Sequence, residues 1–196
     1  MKLILNMNKR YTYADYLTWF DEKRRELING FIRVMSAPST LHADVTSAIF
    51  WYIKEHIIRN KGKCKVFSAP FDVRLPTCKE KGDDKIYTVV QPDICVVCDL
   101  SKLDYRGCIG APEMVVEVIS PSTSRYDHTK KFDLYEASGV REYWIADPGN
   151  RSVAIYLLQP DGKYDEGTIY EYGADKIPVN VINGLSLDWK SIFTES

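Results

Sequence analysis

The sequence predicts an α/β protein with a mixed central β-sheet flanked by helices, and three observations predict it. Short runs rich in Val and Ile recur at residues 71–75, 92–98, 113–119 and 140–146, and such runs read as buried strands. Ahead of them lies a long helical stripe, with Leu41, Val45, Ile49, Ile53 and Ile57 at i, i+4 spacing. The 196 residues hold no linker: the charged, turn-rich stretch 77–85 is the one break, and it is too short to separate two domains. Residues 1–196 are therefore expected to form a single domain.

The elements follow in order. Residues 11–23 read as a first helix capped by Thr12, with Tyr16, Leu17 and Phe20 on one side. Glu26-Leu27-Ile28, Asn29-Gly30 and Phe31-Ile32-Arg33-Val34-Met35 form a hairpin signal, because Asn-Gly suits a type I′ turn. Ser39 and Thr40 offer caps for the striped helix, which runs to about Asn60 and stops at Gly62. Strands are expected at 64–67 and 71–75, then at 92–98 and 113–119, followed by the loop Ser120-Pro121-Ser122-Thr123-Ser124. A helix over 127–138 ends at Gly139, and two further strands, 140–146 and 152–158, flank the turn Asp147-Pro148-Gly149-Asn150. The remainder reads as a short strand pair and a C-terminal turn.

Composition sets limits on function. Apolar content is 45% and charged content 27%, and no run approaches the roughly 20 apolar residues of a membrane span. The start, Met1-Lys2-Leu3-Ile4-Leu5-Asn6, is too short for a signal-peptide core, so a cytoplasmic location is expected. The five cysteines are odd in number and irregular in spacing. Cys95-x-x-Cys98 lacks a second pair among Cys64, Cys78 and Cys108, so buried free thiols are expected rather than zinc or disulfides. A net charge of −1 provides no overall attraction for phosphate. Local basic clusters remain at Lys23-Arg24-Arg25, around Arg59 to Lys65, and at Arg125 with Lys130 and Lys131, each a solvated face or a phosphate track.

Against this ordinary background two carboxylates stand out. Asp93 opens one apolar strand and Glu117 lies inside another, sharing a face with Val115 and Ile119. A buried ionised carboxylate is costly unless a cation or hydrogen-bond donors meet it. If the two strands are neighbours, both acids converge, and a hard divalent cation is the natural occupant. The helix over 127–138 supplies a third group: Lys131 shares the apolar side with Leu134 and Tyr135, whereas Lys130 reaches water. Lys131 facing a core needs an anion, either as a plain ion pair with Glu117 or as part of a catalytic set. Glu26, before the hairpin turn, faces that site or solvent. His42 at the start of the striped helix is near the site or merely a cap, and His56 and His128 read as surface groups. Trp144 reads as core packing on the strand face opposite Tyr143.

These residues resemble a family. Pro92-Asp93, the Glu117 strand and the following helix are similar to the PD-(D/E)XK nuclease superfamily, whose fold is that of restriction endonucleases. Residues 111–123, Lys131 with Tyr135, Gly139-Val140 and Glu142-Tyr143-Trp144-Ile145-Ala146-Asp147-Pro148 resemble a bacterial branch of small stand-alone restriction-endonuclease-like proteins. Glu26-Leu27-Ile28-Asn29-Gly30 and residues 38–42 match it too, His42 among them. The resemblance implies a restriction-endonuclease-like fold and an endonuclease that hydrolyses DNA phosphodiester bonds with Mg²⁺, or Mn²⁺ as substitute. Asp93, Glu117 and the backbone carbonyl of Val118 would hold the metal. Lys131 would orient the attacking water or stabilise charge on the scissile phosphate, and Glu26 would stand for the acid before the first core strand. One departure is visible: the superfamily places its lysine two residues after the acid, where this chain has Ile119, and the branch carries it on the next helix. Cutting both strands of a duplex calls for a homodimer. A non-catalytic nucleic-acid-binding or interaction protein that keeps the fold is the alternative, and the intact set Asp93, Glu117 and Lys131 separates the two.

Overall fold

The computed structural model describes residues 5–21, 23–77, 82–120 and 124–193. The chain runs α1 (Tyr13–Tyr16), β1 (Arg25–Ile28), β2 (Phe31–Val34), α2 (Thr40–Arg59), β3 (Lys65–Ser68), β4 (Asp72–Arg74), β5 (Val89–Val90), β6 (Ile94–Val97), β7 (Leu103–Asp104), β8 (Gly107–Ile109) and β9 (Met114–Val118). It continues through α3 (Ser124–Tyr126), a π-helical turn (Asp127–Lys131) and α4 (Phe132–Ser138). The last elements are β10 (Glu142–Asp147), β11 (Ser152–Leu157), β12 (Thr168–Tyr170), β13 (Lys176–Pro178), β14 (Ser186–Asp188) and α5 (Trp189–Ile192).

The expected α/β class holds, but the strands divide between two mixed six-stranded sheets, with β13 and β14 as a separate antiparallel pair, rather than forming one central sheet. One has the order β2-β1-β5-β4-β8-β7 and the other β12-β11-β10-β9-β6-β3. Strand alternation explains how they stack. On the second sheet Val116, Val118, Trp144 and Ala146 face α2 and the C-terminal segment, meeting Val45, Ile49, Ile53, Ile57 and Trp189. The opposite face, with Cys95, Val115, Ile119 and Tyr143, packs against Val73, Val90 and Cys108 of the first sheet and against Tyr135 of α4. Glu142 is fully buried at the edge of the α2 layer. Its Oε1 accepts the Trp144 indole N–H at 2.8 Å and the Asn180 N–H at 3.1 Å, and its Oε2 accepts the Val181 N–H at 2.8 Å. The carboxylate thereby pins the C-terminal segment to the sheet.

Local chemistry accounts for most element ends. Asn29 and Gly30 have φ of 52° and 85°, the pair of left-handed residues that a type I′ hairpin requires. Ser39 caps α2 by accepting the His42 N–H. Past α2 the left-handed residue is Lys61 (φ 51°), not Gly62, and the Gly62 N–H closes the turn onto the Ile57 carbonyl. Gly139 ends α4 at φ 83° as expected.

Four expectations need correction. The first helix is one turn, held by a Thr12–Asp15 capping box, and Phe20 is 91% exposed instead of sharing a face with Tyr16 and Leu17. Beyond the turn the chain leaves the helix, and Asp21 pairs with Arg25 at the start of β1. Leu41 is exposed, because the stripe begins to meet the sheet only at Val45. The strand β5 and the β7–β8 hairpin lie in stretches too short for period-two alternation to register. Finally, Cys64 and Cys98 form a disulfide with an S–S distance of 2.03 Å, against the expectation of free thiols. The β3–β6 register pairs Lys65 with Val97, so Cys64 and Cys98 lie opposite each other one step on. Cys95 and Cys108 are free and buried, as expected. Cys78, part of the 77–85 loop and part of the 120–124 loop lie outside the described residues.

Candidate active site

β9 is buried along its whole length, flanked by β6 antiparallel on one side and β10 parallel on the other. The β6–β9 register pairs Ile94 with Val116, so one step further places Asp93 opposite Glu117. Directly opposed residues of an antiparallel pair share a face, and both acids accordingly line one cleft of about 580 Å³, together with Val118, Asp127, Lys131 and His42.

Asp93 sits at the end of its strand. Its Oδ2 accepts the Val118 N–H at 2.8 Å and lies 3.1 Å from His42 Nε2. The carboxylate is thus braced from β9 on one side and from the first turn of α2 on the other. Glu117 is only 4% exposed. Its Oε1 accepts Lys131 Nζ at 2.7 Å and the Tyr135 hydroxyl at 2.6 Å, both from the helical segment after the strand. Lys131 and Tyr135 are four residues apart, one helical turn, so one face presents both donors. Lys131 ends the π-helical turn, a feature that recurs at functional sites.

Glu26 comes from the other sheet. Leu27 packs outward with Tyr13 and Ile86, while Ile28 faces the layer between the sheets. Alternation therefore turns Glu26 inward, where it is fully buried. Its Oε1 lies 3.1 Å from Lys131 Nζ and accepts the Gln91 N–H at 3.0 Å, and its Oε2 lies 3.2 Å from Arg33 Nη1. Of the two orientations the sequence leaves open, the structure selects the one facing the site. Lys131 is consequently held between two acids instead of one. Lys130 and His128 are exposed, and Ile119 is buried between the sheets, so Lys131 is the amine that reaches Glu117.

The charges act on one another. Burial pushes the Glu117 carboxyl up to about 8; Lys131 opposes this, and the carboxylates of Asp93, Asp127 and Glu26 reinforce it. Burial disfavours the Lys131 ammonium, but Glu117, Glu26 and Asp127 outweigh it and hold the amine protonated above the usual lysine range. For Glu26, burial is outweighed by Lys131, the Gln91 N–H and Arg33, which keep its carboxyl below the ordinary value. Burial, with Glu117 beside it, raises the Tyr135 phenol, which stays a donor. Because Glu117 titrates near 8 in the fold and 4.5 in the ordinary state, the native protein holds a proton in that window that the unfolded chain releases. Stability of the metal-free protein falls as pH rises through it. A cation that displaced the proton would bind more tightly over the same rise.

The donor set fits a hard cation. Among the described residues no three His, Cys, Asp or Glu side chains form a ready-made metal cage. Mg²⁺ does not need one, since it is commonly bound through one or two carboxylates with waters and substrate phosphate completing the octahedron. Asp93 and Glu117 would supply those carboxylates, and Val118 lines the same cleft.

Sequence reasoning missed several groups around the site. Arg33 is the cross-strand partner of Glu26, a signal that hairpin register alone carries. Tyr135 was legible as the residue one turn after Lys131. Gln91 and Asp127 were not: Gln91 serves Glu26 through its backbone N–H, and Asp127 sits in the π-helical turn, which no periodicity announces.

A family model described as Uma2, "Putative restriction endonuclease", matches residues 13–190. An uncharacterized protein of Synechocystis sp., slr1290, is 26% identical over 153 residues, covering 76% of this chain and 75% of that protein. A solved structure described as a putative nuclease belonging to DUF820, from Anabaena variabilis, superposes with a TM-score of 0.72. It is 21% identical and covers 94% of this chain and 98% of that one. At that identity the likeness is one of fold, and the α/β, restriction-endonuclease-like architecture is common to both.

Proposed function

The chain belongs to the Uma2 family, within the PD-(D/E)XK superfamily of restriction-endonuclease-like proteins, and on that premise we propose that it is a divalent-metal-dependent DNA endonuclease. One observation carries the reading: Asp93 and Glu117, from adjacent strands, and Lys131, from the next helix, face a single cleft. A plain structural ion pair explains Lys131 and Glu117 but not why Asp93 is braced beside them.

A divalent cation bound there offsets the phosphate charge and lowers the pKa of the attacking water. The chain's own residues do the rest. The Val118 N–H and His42 fix the rotation of the Asp93 carboxylate. Tyr135 and Lys131 hold one oxygen of Glu117. Glu26, itself paired with Arg33, anchors Lys131 from the opposite sheet, keeping an ammonium where charge develops on a scissile phosphate. Preorganised charge of this kind acts without rearrangement at the moment of reaction.

The test is hydrolysis of labelled DNA by the wild-type protein and by Asp93→Asn, with Mg²⁺ or Mn²⁺ and with EDTA. Metal-dependent cleavage that falls at least about 100-fold in the variant is expected. Equal cleavage in EDTA, or by the variant, refutes the proposal. The competing reading, a nucleic-acid-binding protein without catalysis, is favoured by the double pairing of Lys131 with Glu26 and Glu117; binding with no cleavage under any metal supports it. If the substrate is a duplex, breaking both of its strands requires a second copy related by a twofold axis. Sedimentation at tens of micromolar, roughly the range for a contact of ordinary size, is then expected to give a dimer. A monomer there restricts the activity to nicks or single strands.

A further inference from the structure

The cleft extends well past the acids. One wall is α2, which presents two parallel ridges, His42–Thr46–Phe50 and Ala43–Ser47–Trp51, each at i, i+4 spacing. His42 lies against Asp93 at one end of the wall. Trp51, nine residues further on, stands about 13 Å along the axis at a rise of 1.5 Å per residue. A few nucleotides span that distance. Trp51 is 62% exposed. The core has no use for it, since Val45, Ile49, Ile53 and Ile57 form the buried stripe of the helix. Ala43, Thr46 and Ser47 are small and leave depth between Trp51 and the acids, and Val34 and Met35 add apolar lining.

A second observation points to an anion in the same cleft. Arg24 lines it, and its Nε donates to Gln91 Oε1 at 3.3 Å. Its Nη2 is buried with no hydrogen-bond partner among the described residues. A buried guanidinium nitrogen without an acceptor is costly, and the planar fork matches a phosphate.

We infer that this cleft takes an unpaired strand of DNA, with a base stacked on Trp51 and a backbone phosphate on Arg24. The inference rests on the nuclease reading and names the form of its substrate. In a duplex each base face is covered by its neighbours, so an exposed indole finds no partner there; an unpaired base offers its face. Stacking also provides affinity that does not depend on a basic surface, which suits a chain of net charge −1.

Binding is measured in EDTA, so that no cleavage intervenes, with labelled oligothymidylate and with its duplex on oligoadenylate. The single strand is expected to bind at least about tenfold more tightly and to quench tryptophan fluorescence. Trp51→Ala, on an exposed helix face, is expected to keep its melting temperature and lose about tenfold or more in affinity for the single strand. Trp51→Phe is expected to retain most of it. Arg24→Ala is expected to weaken binding and to lower the salt dependence by about one phosphate contact. Duplex binding as tight as single-strand binding, or unchanged affinity in Trp51→Ala, overturns the inference. The two readings fail separately. Trp51-dependent binding without metal-dependent hydrolysis sinks the nuclease and keeps the cleft assignment; hydrolysis that is indifferent to Trp51 with Trp51-independent binding does the reverse.

Discussion

Replacing Lys131 with Met is expected to be the most damaging single change at the site, costing about 3–5 kcal/mol of stability and abolishing cleavage. Methionine fills nearly the same volume, so packing is kept and the charge alone is lost. Glu26 and Glu117 are then left facing each other in the layer between the sheets, with Asp127 lining the same cleft. For a domain of this size such a loss lowers the melting temperature by roughly 6–20 °C. One escape is open: a carboxyl can neutralise itself by taking up a proton. Glu117 is already disposed to do so near pH 8, so the penalty is expected to be smaller at pH 6 than at pH 8. Urea denaturation of wild type and variant at both values measures it. Equal stability of the two proteins at pH 8 would mean that the triad of Glu26, Lys131 and Glu117 does not hold the sheets together.

How much of this site was legible beforehand follows from the range of each contact. Glu117 was readable because period-two alternation fixes its face from the residues on either side, and Val115 and Ile119 do lie in the layer between the sheets. Lys131 was readable because helical periodicity placed it with Tyr135, and both donate to Glu117. The hairpin was readable because Asn29-Gly30 has few other uses. What failed depended on long-range register or stacking. Nothing near Glu26 says that its strand belongs to a second sheet whose inner face meets the first. The Cys64–Cys98 disulfide depends on how β3 aligns with β6, a register set by 30 or so intervening residues. The overlong first helix was an error of a different kind: Phe20 fitted an apolar pattern, but no surface lies opposite it to bury.

The central claim is that Glu117 is kept for a cation and not merely for Lys131, and Glu117→Gln tests it most directly. The amide retains the shape, and its oxygen still accepts from Lys131 and Tyr135. Lys131 keeps Glu26 as its anion, while the repulsion among the neighbouring carboxylates falls. The measurement is the melting temperature of wild type and variant at pH 6 and pH 8, without metal and with saturating Mn²⁺. Without metal, the Gln variant is expected to be at least as stable as wild type at pH 8. That advantage shrinks at pH 6, where Glu117 is already protonated. Mn²⁺ is expected to raise the melting temperature of wild type, as a ligand of the native state must, and to leave the variant unmoved. A Gln variant clearly less stable than wild type at both pH values, with Mn²⁺ stabilising the two proteins alike, would contradict the account and reduce Glu117 to the structural partner of a buried lysine.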